Sequence, residues 1–379
     1  MRVIVQLIDA ASDLHLWADT FEGEITDIIN LQNEMARAIG EVIKIRLTPR
    51  EEATLVKSAP VQPAIHRQYL QGMYQFFQDT PEADLRGVEI LKEVVRQDPD
   101  NALAYAGLAY GYANIVHSPS PPPIEGIGAK AEAAAEIALR LDPDLAEAHT
   151  AVGLYLSMFE WDFEGAEKAL KRAIELNPNL ALAYYDLAWL YELLGPEFEE
   201  QALAAGEKTV ELNPLSPYMV GALAWQYADA CRYEEALGLA REAIRLDPEH
   251  PMGWAVLGMI HSELGQFDEA IDAHRRLDRP PWSIFVGVSY AAAGLEDKAR
   301  EVAAAWEAVP LAPAWIYMTL DDRESARFWL AEAERTRMSW YPWLLGMFYG
   351  SERMVDDPEV KARAAALGLP DPRTMGCQA

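Results

Sequence analysis

The sequence predicts an all-α solenoid of about seven to eight helical hairpins, preceded by a short β-hairpin and a helix. Three observations carry that expectation. An Asp-Pro or Asn-Pro step recurs along the chain, small side chains hold fixed places within each period, and an alternating apolar pattern precedes the first period.

The steps are Asp98-Pro99, Asp142-Pro143, Asn177-Pro178, Asn213-Pro214 and Asp247-Pro248, and the last four prolines lie 35, 36 and 34 residues apart. Each follows a helical apolar pattern. Proline disfavours α geometry at the residue before it and offers no amide donor, so a helix ends at each step. Counted from Pro217, Leu223 and Ala224 stand at places seven and eight, Tyr227 at eleven, Ala236 at twenty, Ala240 at twenty-four and Ala243 at twenty-seven; Leu257, Gly258, His261 and Ala270 repeat this from Pro251. Small residues at eight and twenty let two helices approach closely, and larger ones fill the space between neighbouring hairpins.

This pattern resembles the tetratricopeptide (TPR) family from about Ala64 to Met338. The units are expected at about 64–99, 102–143, 146–178, 181–214, 217–248, 251–281 and 280–310, with a degenerate eighth at 311–338 marked by Tyr317, Ala326, Leu330 and Ala333. The resemblance implies a right-handed superhelix. Ser118 to Pro123, between the helices of the second unit, is expected as a stiff polyproline-like connection.

At the N-terminal end Val3, Val5 and Leu7 alternate, and Leu14 to Phe21 is a second β-rich run, so a hairpin turning at Ala10 to Asp13 is expected. A helix should follow from about Glu24 to Arg46, then a short helix after Thr48-Pro49 and a linker from Ser58 to Pro63. The phrases Val5 to Ala10, His15 to Ala18 and Leu31 to Ile39 resemble the closing part of the TolB amino-terminal-like α/β domain. In bacterial regulatory proteins that domain commonly joins a nucleotide cyclase or winged-helix module to TPR repeats. The resemblance continues through Leu141 to His149 and Glu175 to Pro178, but no cyclase or winged-helix segment occurs in this chain. The expected division is therefore 1–57, 64–338 and a C-terminal cap and tail at 339–379, with Trp340 to Leu345 aromatic and a helix near Pro358 to Leu367. A lone two-stranded hairpin leaves an edge able to pair, which points to a homodimer through it.

The formal net charge of -28 repels phosphate backbones and anionic membranes, so neither nucleic acid nor membrane is expected as a partner. Cys231 and Cys377 are far apart and form no CxxC, which suggests neither a disulfide framework nor a zinc site and fits a cytoplasmic location. Of the seven histidines, His261 holds a repeat packing place and is expected in the core. Glu199-Glu200 and Glu234-Glu235 open second helices, where the helix dipole favours them. No GxxxxGK[ST], GxGxxG or GxSxG occurs, so no enzyme chemistry, metal or cofactor is expected.

In a TPR stack the first helix of each unit lines the concave side, at places two, five, nine and twelve. By that register the groove holds Tyr110, Leu154, Tyr185, Trp189, Glu192, Tyr218, Trp225, Met252, Met259, Ile284 and Val288. Such a lining suits a protein or peptide segment with bulky apolar and some basic residues, in a signalling or regulatory scaffold. A tight superhelix would instead pack these side chains on itself. If the groove is open, replacing Trp189 and Trp225 by alanine should preserve helix content and weaken partner capture. The alternative function is the sensory part of a cyclase or transcription regulator without its effector.

Overall fold

The structure, a computed structural model, describes residues 2–9, 14–22, 35, 38–39, 62–115, 126–279, 281–346, 354 and 356–371. It divides into two compact units, Met1–Gln71 and Gly72–Ala379.

In the first unit β1 (Arg2–Asp9) and β2 (Leu14–Glu22) pair antiparallel, with Val3 opposite Phe21, Val5 opposite Asp19 and a register shift between Leu7 and Ile8. Val3 and Val5 are half-buried while Ile4 between them is exposed, the period-two alternation of a strand. Trp17 and Phe21 bring their rings to 6.4 Å. The expected hairpin is present, though its turn at 10–13 lies outside the described residues. So do most of the helix expected over 24–46, of which Met35, Ala38 and Ile39 are helical, and residues 48–61. Helix α1 (Pro63–Phe76) starts here, with proline in its first turn.

The second unit takes the end of α1 and then α2 (Pro81–Gln97), α3 (Ala102–Asn114), α4 (Ile127–Leu141), α5 (Ala146–Tyr155), α6 (Phe163–Leu176), α7 (Ala181–Leu194), α8 (Glu199–Leu212) and α9 (Pro217–Asp229). It continues with α10 (Tyr233–Leu246), α11 (Pro251–Glu263), α12 (Phe267–His274), α13 (Ile284–Ala292), α14 (Glu296–Ala305), α15 (Leu311–Thr319), α16 (Arg323–Arg335), α17 (Tyr341–Gly346) and α18 (Pro358–Ala366). From α3 to α16 these make seven successive hairpins, each packed on the next. Ahead of them the end of α1 and α2 make the turn of an eighth.

Three of the Asp/Asn-Pro steps work as side-chain-capped turns. Asp142, Asn177 and Asp247 each accept the amide two residues on through Oδ1, at 3.1, 3.1 and 3.0 Å. A short side chain with a carbonyl or carboxylate oxygen is what such a turn requires. First helices end differently. Trp161, Cys231, Gly265, Gly294 and Asp321 have φ between 57° and 71°, and the next residue's amide reaches back into the last helical turn, as from Arg232 to the Tyr227 carbonyl at 2.8 Å. This is a left-handed C-terminal cap that satisfies otherwise orphaned carbonyls. Unit three carries one extra residue as a π turn, Leu156–Glu160, which moves its cap from place fifteen to Trp161.

The small residues lie where the spacing put them. Ala109, Ala188, Ala224, Ala236, Ala270 and Ala299 are fully buried. A Cβ on Gly153 would stand 2.6 Å from Leu170 Cγ, and one on Gly258 would stand 2.3 Å from the His274 ring. His261 is a correction: it is half-buried and pairs with Gln266 Oε1 at 2.6 Å, so it belongs to a hairpin rim and not to the core. The buried histidine is His274, whose Nε2 donates to the Ala255 carbonyl at 2.9 Å while Nδ1 lies 2.7 Å from Ser289 Oγ. Burial pushes it down to about 4, so it is neutral at ordinary pH. Cys231 is disulfide-bonded, which the sequence reading did not expect; Cys377 lies outside the described residues.

At the C-terminal end α18 is anchored by Asp357, which is fully buried, caps the Glu359 amide and accepts two bonds from Arg327 at 2.6 and 3.3 Å. Burial alone would raise this carboxyl, but the Arg327 and amide bonds outweigh it and hold it below the usual range. Its contribution is therefore complete above the ordinary carboxylate range and is lost only as pH falls through its own lowered value.

Candidate functional site

The row begins on consecutive first helices. Tyr185 and Trp189 sit one turn apart on α7, Tyr218 and Trp225 two turns apart on α9, so each pair shares a helix face. Tyr185 and Tyr218 bring their rings to 5.1 Å and their hydroxyls to 2.6 Å. Trp189 meets Tyr185 at 6.2 Å and Trp225 at 5.6 Å, both edge to face. The line runs on through Phe285, 6.1 Å from Trp225, to Trp315 at 5.1 Å. Contacts of this kind are the favoured geometry for aromatic rings.

The row is covered by the chain itself. The turn after α1 places Phe77 against Tyr218 at 6.0 Å. There the Phe77 carbonyl accepts from His250 Nε2 at 3.1 Å and the Asp79 carbonyl accepts from the Trp282 indole at 3.2 Å, across 173 and 203 residues of sequence. From the other end, Trp340 stands 6.2 Å from Trp189, Tyr341 5.7 Å from Trp161 and Trp343 6.4 Å from Phe163. Arg337 fixes that segment, donating to the Phe159 carbonyl at 3.1 and 3.2 Å with its guanidinium 4.5 Å from the Trp161 ring centroid.

Ten of the eleven positions assigned from sequence are buried, and Met259 is half-buried. In this state the surface drawn from the register is an interior. Tyr110, Tyr185, Trp189, Tyr218 and Trp225 are brought together, Tyr110 through a 3.4 Å bond from its hydroxyl to Asp186 Oδ1. Others face elsewhere: Met252 packs on Gly221, and Val288 joins Ala291, Ala299, Ala303 and Ile316 between hairpins. Leu154, Glu192 and Ile284 are buried on α5, α7 and α13. The register missed Phe77, Asp79, Asp186, His250, Trp282, Phe285 and Trp340. Trp340 was legible as part of an aromatic cap, whereas the turn residues had no local signal.

The row carries acid. Asp186 on α7 is buried, with Oδ2 unpartnered, and burial raises it well above the usual range against the Tyr110 bond. Asp79 keeps some exposed surface, but its Oδ2 is out of reach of solvent and unpartnered, and burial pushes it up to about 7. Asp84 on α2 accepts from Asn114 at 3.1 Å; burial, then the Asp79 charge, raise it to about 8. The hydroxyls of Tyr110, Tyr185 and Tyr218 are raised well above 10, chiefly by burial, and remain protonated. Among the described residues, the groups acting on these three carboxyls include no lysine or arginine.

Comparison with known proteins agrees with this architecture. Tetratricopeptide-repeat families match residues 169–201 and 222–283. Putative adenylate cyclase 3 of Rhizobium meliloti is 27% identical over 109 residues, 29% of this chain and 19% of that protein. The tetratricopeptide repeat-containing protein trd-1 of Caenorhabditis elegans is 29% identical over 135 residues, 35% of this chain and 17% of its own length. The chain thus spans less than a fifth of either relative. Among solved structures, that of the APC/C hetero-tetramer Cut9–Hcn1 is similar with a TM-score of 0.52 and 13% identity, over 90% of this chain and 63% of that one. A thermophilic TPR protein of Thermus thermophilus gives 0.38 at 18% identity, over 48% and 92%. The chain carries tetratricopeptide repeats, a class that generally serves as protein-interaction scaffolds and binds peptide or protein partners. No helix among the described residues is long and apolar enough to cross a membrane.

Proposed function

We propose that the chain is a non-catalytic interaction scaffold that holds a partner segment with bulky apolar and basic side chains along the Tyr185, Trp189, Tyr218 and Trp225 row. The observation that carries this reading is the chemistry of the row, in which contiguous aromatic rings meet Asp79 and Asp186 without a basic side chain acting on either carboxyl among the described residues. Aromatic anchors supply most of the binding energy in such contacts, and a cation from the partner would meet carboxylates. In the covered state the turn at Phe77 to Thr80 and the Trp340 segment occupy this place. The partner takes it by displacing one of them.

Short synthetic peptides containing tryptophan with lysine or arginine should be retained by the immobilised chain more strongly than acidic peptides of equal aromatic content. Trp225→Phe, which keeps a ring while trimming the contact, should lower that retention with helix content unchanged. Equal retention of basic and acidic peptides would remove the reading.

A second reading has its own support. The similarity to putative adenylate cyclase 3, together with the TolB-like N-terminal phrases, favours the sensory or regulatory portion of a nucleotide cyclase or transcription regulator. In that reading 1–57 is the remnant of the TolB-like domain, 64–338 the repeat array and 339–379 its cap. The edge of β1 or β2 then pairs two copies of the chain. A dimer in light scattering at micromolar concentration is expected, and a monomer there excludes the pairing.

A further inference from the structure

We propose that the contact of the Phe77–Asp79 turn with Tyr218, His250 and Trp282 is a proton-held latch, closed while Asp79, Asp84 and Asp186 carry protons and opening as they ionise to uncover the aromatic row. The proposal adds a control to the partner-binding reading and rests on it only for the use made of the uncovered row.

The geometry is a seam between distant parts of the chain. On one side stand Phe77 and Asp79, with Asp84 and Glu82 on α2 behind them. On the other stand Asp186 and Tyr185 on α7, Tyr218 on α9, His250 with Asp247 before α11, and the Trp282 indole before α13; Tyr110 and Asn114 on α3 complete the surroundings. The Asp79 and Asp186 Oδ2 atoms are shielded from solvent and have no hydrogen-bond partner. A carboxylate in that setting lacks compensation for its charge, whereas a neutral carboxyl is tolerated. Asp79 belongs to the turn itself, so swinging the turn out hydrates it.

The sign follows from burial, which makes the closed carboxyls weaker acids than open ones: about 7 for Asp79 and about 8 for Asp84 against 3.8. The closed form therefore binds more protons, and closure weakens as pH rises from the ordinary carboxylate range through those values. His250 works in the opposite sense. Burial lowers it, so the closed form prefers it neutral and loses stability as pH falls below its ordinary 6.5. Three carboxyls outnumber one imidazole, so the net effect is tighter closure on the acid side.

Hydrogen exchange of the full chain without partner, corrected for the intrinsic pH dependence of exchange, reads the latch directly. Linkage through Asp79 alone predicts that opening at residues 77–80 and 247–252 increases roughly thirtyfold between about pH 5.5 and about pH 8.5. Asp79→Asn should flatten this rise, and it suits the turn because asparagine tolerates the φ of 54° found there. Asp186→Asn, which can still accept from Tyr110, should flatten it as well. Flat exchange in the unmodified chain, an unchanged rise in Asp79→Asn, or a parallel rise across α14 to α16 would each overturn the latch, the last by showing loosening of the whole array. Peptide retention plays no part in this readout, so either proposal can fail while the other stands.

Discussion

Replacing Trp189 and Trp225 by alanine is expected to cost the repeat array much of its stability, not merely its grip on a partner. The two indoles are 5% and 6% exposed and lie 5.6 Å apart between α7, α9 and the Trp340 segment. Removing a buried tryptophan costs about 3 to 5 kcal/mol through lost transfer energy and the cavity left behind. Because the rings touch one another, the pair should cost less than twice a single change. The Trp225 Nε1 group is unpartnered, which returns part of a desolvation cost when it goes. Urea unfolding followed by circular dichroism should show a lower midpoint and a separate early phase from the central hairpins, since repeat arrays need not unfold as one. An unchanged midpoint would mean that the row is an open surface, the first of the two readings drawn from sequence.

The sequence left both readings of this row standing, open and packed on itself, for a physical reason. The repeat is written locally: Asp or Asn before proline sets a turn, a small residue at place eight sets a close approach, and each acts within about one period. The same local register places Tyr185, Trp189, Tyr218 and Trp225 on first helices, and their rings adjoin in one row. Whether the row faces solvent depends on where the array brings Phe77 and Trp340, and no local pattern records a bond such as His250 to Phe77 across 173 residues. Asp79 and Asp186 lie in no sequence motif. Their role comes from burial by segments far away, and the π turn at Leu156–Glu160 likewise shows only as one extra residue in the count.

The same local rule predicts two glycine substitutions of opposite sign. At Gly153, place eight of its unit, a Cβ would stand 2.6 Å from Leu170 Cγ, 2.8 Å from its Cδ2 and 3.3 Å from the Ala166 carbonyl. Leu170 is itself buried, so it has little room to move aside. Overpacking of this kind costs about 1 to 3 kcal/mol and more for branched side chains, so Gly153→Val should lower the urea midpoint sharply and Gly153→Ala moderately. Gly238 lies on the exposed face of α10, and a Cβ there meets nothing within 4 Å. Alanine at that place should stabilise by about 0.8 to 1 kcal/mol, because glycine only adds backbone freedom to the unfolded chain. Both positions are helical glycines, so propensity alone would make both alanine variants more stable. Opposite shifts would show that close helix approach sets the composition at place eight, and shifts of the same sign would remove that explanation for the repeat.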